Sequence, residues 1–197
     1  VAFAVYHFGL AALATLASAT VACLVTERVL TKSGTLADWS AIVTGLLLGL
    51  SLPPGLPLWM SALGGVVAIA IGKILFGGLG CTAFNPALVG RAFLAAAFPA
   101  AMTTWLAPGG ADRFSLLPSS ALAWPFTAPS YDGITAATPL SDWQFAGVGT
   151  DTAELAFGLT AGSTGETSAL LIALGGSYML VRRVANWRLP AALLLTV

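Results

Sequence analysis

Long apolar stretches separated by short polar connections dominate the chain. The first stretch, residues 1–26, is apolar almost throughout and ends at Glu27 and Arg28. A helix needs about 20 apolar residues to cross the hydrocarbon core of a bilayer, so this stretch predicts a membrane-spanning helix. Three later apolar stretches predict further membrane helices, over residues 39–52, 58–76 and 86–105.

Prolines and glycines interrupt these predicted helices. Residues 53–57 read Pro-Pro-Gly-Leu-Pro and close a stretch that is too short to span comfortably. They are either a break between two half-helices or a simple loop, and a break at membrane depth needs protein or a cavity around its backbone. Residues 77–80, Gly-Gly-Leu-Gly, end the next helix, and Pro86 suits the first position of the following one.

Two basic residues lie inside predicted membrane helices. Lys73 is near the end of its helix, where a lysine is expected to snorkel toward the membrane surface. Arg91 lies one to two turns beyond Pro86, where a charge is costly unless it is paired or faces an interior site. It could hold a phosphate or a carbonyl group of a ligand, or it could pair structurally with an acid.

The two cysteines predict no metal site. Cys23 and Cys81 have no C-x-x-C partner and no neighbouring histidine, so a zinc or iron–sulfur site made by this chain alone is not expected. Cys23 is interpreted as a small buried hydrophobe. Cys81 follows the glycine-rich turn, and we expect a packing role for it rather than contact with a cofactor.

Composition agrees with the apolar pattern. Of the 197 residues, 57% are hydrophobic and 8% are charged, whereas about a quarter of a soluble domain is charged. The eight basic and eight acidic residues form no excess positive charge of the kind that nucleic-acid binders use, so no nucleic-acid partner is expected. The sequence therefore predicts an all-α integral membrane protein, a multi-spanning helical bundle in contact with the lipid bilayer.

The chain begins and ends inside apolar runs, so we interpret residues 1–197 as one truncated transmembrane domain. No signal peptide is recognisable at its start. Near its end, residues 162–168 read Gly-Ser-Thr-Gly-Glu-Thr-Ser and predict another break before a helix over 169–184. Glu166 would lie in the first turn of that helix, where the helix dipole favours an acid.

The interval 106–157 is the long polar part of the chain. Intervals of this length are usually functional or disordered, and Trp124 and Trp143 suggest a packed segment at the membrane interface. Basic residues concentrate in two other connections, which the positive-inside rule assigns to the cytoplasm: Arg28 with Lys32, and Arg182, Arg183 and Arg188. The interval is therefore predicted to be extracytoplasmic.

Residues 131–140 place an acid and two hydroxyls in a short segment of this interval. Asp132-Gly133 is a turn signal and Pro139 is expected to stop any helix, so Thr138 should lie in an exposed loop with its hydroxyl available. Taken by themselves, such residues are more often a plain loop than a modification site.

The run from Asp132 to Thr138, Asp-Gly-Ile-Thr-Ala-Ala-Thr, resembles a known flavinylation motif. The motif belongs to membrane flavoproteins of the Rnf and sodium-translocating NADH:quinone reductase complexes. There, a flavin transferase joins FMN through a phosphoester bond to the last threonine, which is Thr138 in this chain. The resemblance implies that Asp132 and Thr135 serve mainly as the recognition sequence, with Ala137 beside the attachment point. Family members often have Ser-Gly-Ala-Thr at the last four positions.

Three further blocks are similar to the same family: residues 40–54, 77–103 and 162–168. Four blocks in order form a specific signal, and the chain is identified as a member of the family that contains RnfD of the Rnf complex and NqrB of the quinone reductase. The Rnf type is the preferred branch. The resemblance implies a fold of two inverted repeats with broken helices, similar to urea transporters.

The function that this resemblance implies is electron transfer in a redox-driven ion pump of a bacterial or archaeal cytoplasmic membrane. Covalent FMN would pass electrons between flavin and iron–sulfur partner subunits. The quinone-reductase branch also implies a second, non-covalent flavin (riboflavin) near residues 77–91, with Asn85 and Arg91 as candidate contacts. The alternatives are a channel or secondary transporter without a redox cofactor, since broken helices also serve in pores, and a scaffold subunit that has lost its flavin.

Overall fold

The computed structural model describes residues 1–31, 39–110, 112–125, 138–165, 167–184 and 186–196. These residues form helices and no strand, which confirms the predicted all-α architecture. The elements are α1 (Ala2–Leu30), α2 (Ser40–Ser51), α3 (Leu58–Ile69) continued by a π-helix (Ala70–Ile74), α4 (Pro86–Ala97), α5 (Pro99–Met102), a 3₁₀ turn (Ser119–Leu122), α6 (Pro139–Ser141) continued by a π-helix (Asp142–Ala146), α7 (Thr152–Phe157), α8 (Ala169–Val181) and α9 (Arg188–Thr196).

The long helix α1 forms the span that the sequence predicts. Among the described helices it alone has both the length and the apolar composition to cross a bilayer, and four shorter apolar helices of 10–17 residues accompany it. It packs against both α2 and α3, and α3 packs in turn against α4. The described bundle is therefore organised around α1.

Glycines allow the helices of this bundle to approach closely. A Cβ atom on Gly65 of α3 would lie 2.8 Å from the carbonyl oxygen of Ala19 on α1, and one on Gly90 of α4 would lie 2.6 Å from the carbonyl oxygen of Gly64. Neither site has room for a methyl group, so these small residues set the close spacing of α1, α3 and α4. Cys23 is fully buried against Gly65, as its apolar surroundings predict.

The core between these helices is apolar, and so is much of the outer surface. Fully buried side chains include Leu48, Leu52, Leu56, Ile69 and Leu94. Large hydrophobic side chains also remain exposed along the helices, among them Val21, Val25, Val43, Leu47 and Val66. An apolar outer surface on helices is what contact with lipid requires, because lipid offers no partner for polar groups.

The proline-rich segment between α2 and α3 is a buried break rather than a surface loop. Residues 51–57 are all buried. The hydroxyl of Thr164 donates to the carbonyl oxygen of Leu52 at 2.6 Å, that of Ser120 to Gly55 at 3.0 Å, and that of Thr15 to Pro54 at 3.3 Å. Surrounding protein thus satisfies the carbonyls that the break leaves without helical partners, as a break at membrane depth requires.

Three local predictions need correction. The helix that starts at Pro86 ends at Ala97 rather than near residue 105, because Phe98 leaves helical geometry (φ −134°, ψ 58°) before Pro99. The last predicted helix ends at Val181 instead of 184. Cys81 is exposed, so the packing role expected for it is wrong in the described part of the chain.

Candidate functional site

Thr138 lies at the start of a helical segment, and its side chain is half-buried. It is the N-cap of α6, and its Oγ1 accepts a hydrogen bond from the backbone N–H of Ser141 at 3.3 Å. Within the described residues its hydroxyl donates no hydrogen bond. Pro139 was expected to stop a helix, but it occupies the first helical position, where its missing N–H is no loss.

The other residues of the predicted flavinylation motif, Asp132, Thr135 and Ala137, lie outside the described residues. Directly beyond Thr138, the helical segment exposes three large apolar side chains. Leu140 is 72% exposed, Trp143 is 67% exposed and Phe145 is 82% exposed. The hydroxyl that the motif identifies therefore stands beside an apolar surface that nothing in the described chain covers.

Asn85 and Arg91 lie in a different element, α4. The Oδ1 atom of Asn85 accepts a hydrogen bond from the backbone N–H of Ala87 at 3.0 Å, so this side chain caps the helix. Arg91 is half-buried on the same helix. The cap gives Asn85 a structural role that is sufficient to explain it, and contact of either residue with a cofactor stays a prediction.

Lys73 does not snorkel, contrary to the sequence prediction. It is 4% exposed, and its Nζ lies 2.5 Å from Oε1 of Glu27, which is 2% exposed. Nζ also donates to the hydroxyl of Ser40 at the start of α2. The second carboxylate oxygen of Glu27, Oε2, has no hydrogen-bond partner among the described residues. The lysine and the glutamate compensate each other's charge, because transfer out of water disfavours a buried charge that has no partner.

A second arrangement that the sequence did not reveal is a break inside α1. Gly9 has φ 60° and ψ −135°, far from helical values. In a regular helix the N–H of Leu10 would donate to the carbonyl of Tyr6. Here it donates to the carbonyl oxygen of Arg113 at 2.8 Å, while Nε of Arg113 donates to the Tyr6 carbonyl at 2.9 Å. Arg113 therefore replaces the interrupted helical hydrogen bond.

A cavity of about 380 Å³ adjoins this break. Its walls are mostly apolar and come from α1 and from residues 106–110 and 112–119, and its polar side chains include His7, Asp112 and Arg113. His7 is only 7% exposed. The guanidinium of Arg113 also donates to the carbonyls of Gly109 and Gly110, at 3.3 Å and 3.1 Å. The arginine is thus held in place beside the cavity by backbone contacts.

Aromatic rings lie beside both His7 and Arg113 at this cavity. The His7 ring lies 4.2 Å from that of Phe3 and 5.2 Å from that of Tyr6, measured between centroids. The Arg113 guanidinium carbon lies 4.8 Å from the centroid of the Phe114 ring. The available signals in the sequence were the lone histidine of the chain and a single arginine in an otherwise acidic interval.

The fold and these sites define a helical membrane domain built around broken helices, with a buried ion pair. Comparison with known sequences gives the particular family: the chain belongs to the NQR2, RnfD, RnfE family, whose model matches residues 1–197. The membership predicted from the four sequence blocks is thereby confirmed.

Several relatives are similar over nearly the whole chain, and each is the D component of an oxidoreductase complex. The sequence is 38% identical to that of the proton-translocating ferredoxin:NAD(+) oxidoreductase complex of Clostridium ljungdahlii, over 99% of this chain and 58% of the relative. It is 40% identical to that of the Na(+)-translocating ferredoxin:NAD(+) oxidoreductase complex of Acetobacterium woodii, over 100% and 58%. The relative from an ion-translocating oxidoreductase complex of Halorhodospira halophila is 39% identical, over 100% and 60%. The chain spans 58–60% of the length of these relatives.

Proposed function

We propose that this chain is the membrane part of an electron-transfer subunit in a redox-driven, ion-translocating oxidoreductase, and that Thr138 carries FMN through a phosphoester bond. The observation that carries the proposal is the Asp-x-x-Thr-Ala-Ala-Thr run in a chain of this family, which ends at a threonine whose hydroxyl donates no hydrogen bond within the described residues. The relatives are named as components of ferredoxin:NAD(+) oxidoreductases that translocate protons or sodium ions. Function in this chain is inferred from that kinship.

The geometry at Thr138 is compatible with esterification. A phosphoester replaces the hydroxyl proton and keeps the oxygen, and the Oγ1 of Thr138 acts only as an acceptor in the described structure. The hydrogen bond from the backbone N–H of Ser141 to Oγ1 can therefore persist after attachment. An ester oxygen is a weaker acceptor than a hydroxyl oxygen. Thr138 is only partly buried, which is compatible with access by a transferase.

FMN supplies the redox chemistry, and the residues of this chain set its position and surroundings. Among the described residues, Trp143 and Phe145 are the exposed aromatic side chains nearest to Thr138 along the chain. They can lie against a planar ring and reduce its contact with water. The cap at Thr138 fixes the attachment point relative to this aromatic surface.

Several finer features belong to the same proposal. The protein lies in a bacterial or archaeal cytoplasmic membrane with Thr138 on the extracytoplasmic side, and its fold has inverted repeats similar to urea transporters. Its partners are a flavin transferase and flavin and iron–sulfur subunits. A second, non-covalent flavin lies near Asn85 and Arg91. The buried break at residues 51–57 supports the broken-helix part of this description.

Anaerobic absorbance spectroscopy of the complete complex tests the electron-transfer function. The complex is produced with and without a flavin transferase, as wild type and as Thr138→Val, and is reduced by its physiological donor. We expect a flavin signal that needs both the transferase and Thr138 and that bleaches on reduction. A complex that moves ions while this protein stays colourless would instead support the channel or transporter alternative, whose broken helices need no flavin.

A further inference from the structure

The turn between α8 and α9 is rich in arginine, and the proposed function leaves it unused. We infer that this turn and the apolar helix α8 together bind an anionic phospholipid, whose phosphate group lies against Arg183 and the neighbouring arginines. The inference goes beyond the proposed function and does not depend on the flavin. Its support comes from the balance of charge, the exposure of α8, the recess at the end of α8 and the backbone of Arg183.

Residues 169–197 carry positive charge without compensation of their own. They contain Arg182, Arg183 and Arg188 and no acidic residue. All three arginines are exposed, and none of them forms an ion pair within the part of the chain that the structure describes. The positive-inside rule assigns this connection to the cytoplasm, and the cytoplasmic leaflet is the one that attracts clusters of basic residues through its anionic lipids.

The acids of α7, which packs on α8, lie near the opposite end of α8. The hydroxyl of Ser168, which caps the start of α8, donates to the carbonyl of Ala156 on α7 at 3.0 Å. Arg182 is fourteen residues further along the chain (182 − 168), which corresponds to roughly 21 Å along the helix axis. Exposed charges at such a separation are largely screened. Asp151 and Glu154 of α7 therefore do not neutralise the arginines.

Helix α8 exposes apolar side chains on every side. None of its 13 residues is buried, and its exposed side chains include Leu170, Leu174 and Val181. Acyl chains suit such a surface, because neither side then has a polar group without a partner. At 1.5 Å per residue the helix is roughly 20 Å long, which exceeds the depth of one leaflet, about half of a 30 Å hydrocarbon core. An acyl chain can therefore lie along α8 below the arginines.

A recess of about 580 Å³ lies where α8 ends. The residues that line it are Leu180, Arg183, Val184, Asn186 and Trp187. The Oδ1 atom of Asn186 accepts a hydrogen bond from the backbone N–H of Arg188 at 3.1 Å, so the amide nitrogen of Asn186 remains a donor. Trp187 is exposed, and tryptophan favours the level of the lipid head groups. The lining thus combines donors for an anion with the start of an apolar surface.

The backbone conformation of Arg183 shows that helix termination does not explain its side chain. Arg183 has φ 56°, in the left-handed region, directly after the C-cap residue Arg182. Its N–H donates to the carbonyl of Leu180, and the N–H of Val184 donates to that of Met179, both at 3.0 Å. Glycine is the usual residue at this position of a helix end, because a side chain there is strained. The arginine therefore adds nothing to the turn that glycine lacks, and its charge needs another role.

A phospholipid accounts for these observations better than a soluble anion or an acidic protein surface does. A soluble phosphate would contact the arginines but gain nothing from the apolar surface of α8. An acidic protein surface would place polar groups against that apolar surface, which is unfavourable. A phospholipid joins an anionic phosphate to acyl chains, so one molecule fits both adjoining surfaces.

The test uses the complete complex, purified in detergent and stripped of lipid. Wild type is compared with Arg183→Gly, which removes the charge and suits the left-handed backbone, and with Arg28→Gln. The second variant is the control, because it removes one exposed arginine from the other connection that is assigned to the cytoplasm. Phosphatidylglycerol, phosphatidylcholine and inorganic phosphate are added separately. Thermal midpoints and the number of bound lipids in native mass spectrometry are measured for each.

We expect phosphatidylglycerol alone to raise the midpoint of wild type and of Arg28→Gln, because a ligand that binds the folded state stabilises it. Arg183→Gly should bind this lipid about fivefold more weakly. Without lipid, the same variant should melt no lower than wild type, since relief of the left-handed strain offsets the added freedom of the unfolded chain. A loss of lipid binding without a loss of stability would separate the binding role from a structural one.

Equal binding of phosphatidylglycerol by Arg183→Gly and Arg28→Gln would overturn the inference, because the arginines would then attract lipid only in bulk. Equal stabilisation of wild type by phosphatidylcholine would also overturn it. Stabilisation by inorganic phosphate to the same extent would replace the lipid with a soluble anion. Release of a subunit from Arg183→Gly would replace it with a protein surface. Each of these outcomes leaves the proposed function intact.

Discussion

Arg113 bridges the gap that Gly9 opens in α1. The backbone carbonyl of the arginine takes the N–H of Leu10, and its side chain donates to the carbonyl of Tyr6, so one residue satisfies both sides of the break. Gly9 permits this approach because it has positive φ and no side chain, and a Cβ there would collide with the Arg113 carbonyl. The start of α1 and the beginning of the polar interval are therefore one structural unit.

A methyl group at Gly9 should separate that unit. Gly9→Ala combines a strained backbone conformation with a steric collision, and we expect it to destabilise the complex by about 3 kcal/mol. The matched control is Gly175→Ala, since a Cβ on Gly175 of α8 meets nothing within 4 Å. Thermal unfolding in detergent should show a lower midpoint for the first variant only. Equal midpoints for the two variants would show that α1 passes residue 9 without this break.

The buried ion pair predicts a strongly asymmetric set of variants. Lys73→Met leaves the carboxylate of Glu27 buried without its cation, which should destabilise by about 3–5 kcal/mol. The double variant Glu27→Gln with Lys73→Met removes both charges. It should regain most of the lost stability, because no uncompensated charge remains. The thermal midpoints of the single and double variants measure this coupling.

Arg28→Met is the control for the ion pair, because Arg28 is a neighbouring basic residue that is exposed. Surface substitutions away from special features usually change stability by about 0.5 kcal/mol or less. If Lys73→Met lowers the midpoint no more than Arg28→Met does, the lysine is solvated at the membrane surface, as the sequence alone suggested.

The hydroxyl of Thr164 links residues 162–165 to the break after α2 by a hydrogen bond. It is fully buried and donates to the carbonyl of Leu52 at 2.6 Å. Thr164→Val keeps the shape and removes the hydroxyl donor, which should destabilise by about 0.5–1.5 kcal/mol, since the Leu52 carbonyl then keeps only the backbone N–H of residue 164 as a donor. Thr103→Val is the control, because Thr103 is exposed and bonds within its own turn. Denaturant unfolding measures the free energy of unfolding of both variants. Matching curves would exclude this role for Thr164.

The sequence predicted those parts of the fold that local composition determines. The span in α1 follows from its unbroken apolar run, and the break before α3 follows from three prolines within residues 53–57. The choice between a buried break and a surface loop depended on Thr164 and Ser120, which lie far along the chain. Such long-range partners are not visible in a local pattern.

The ion pair between Glu27 and Lys73 shows the same limit. Glu27 and Lys73 each lie near the end of an apolar helix, where snorkelling is the normal expectation for a lysine. Their contact depends on the packing of α3 against α1, where Gly65 permits close approach. At the predicted flavin site, the motif identified Thr138, whereas Pro139 was misread because a proline can begin a helix as well as end one.

Intact mass spectrometry of the purified protein, followed by peptide mapping, tests the central claim most directly. The complete complex is produced with its flavin transferase, as wild type, as Thr138→Val and as the control Ser141→Ala. We predict that wild type and Ser141→Ala are heavier than their sequences by one FMN less one water, that the added mass maps to Thr138, and that Thr138→Val lacks it. Wild-type protein at its unmodified mass, or an adduct that persists in Thr138→Val, would contradict the account.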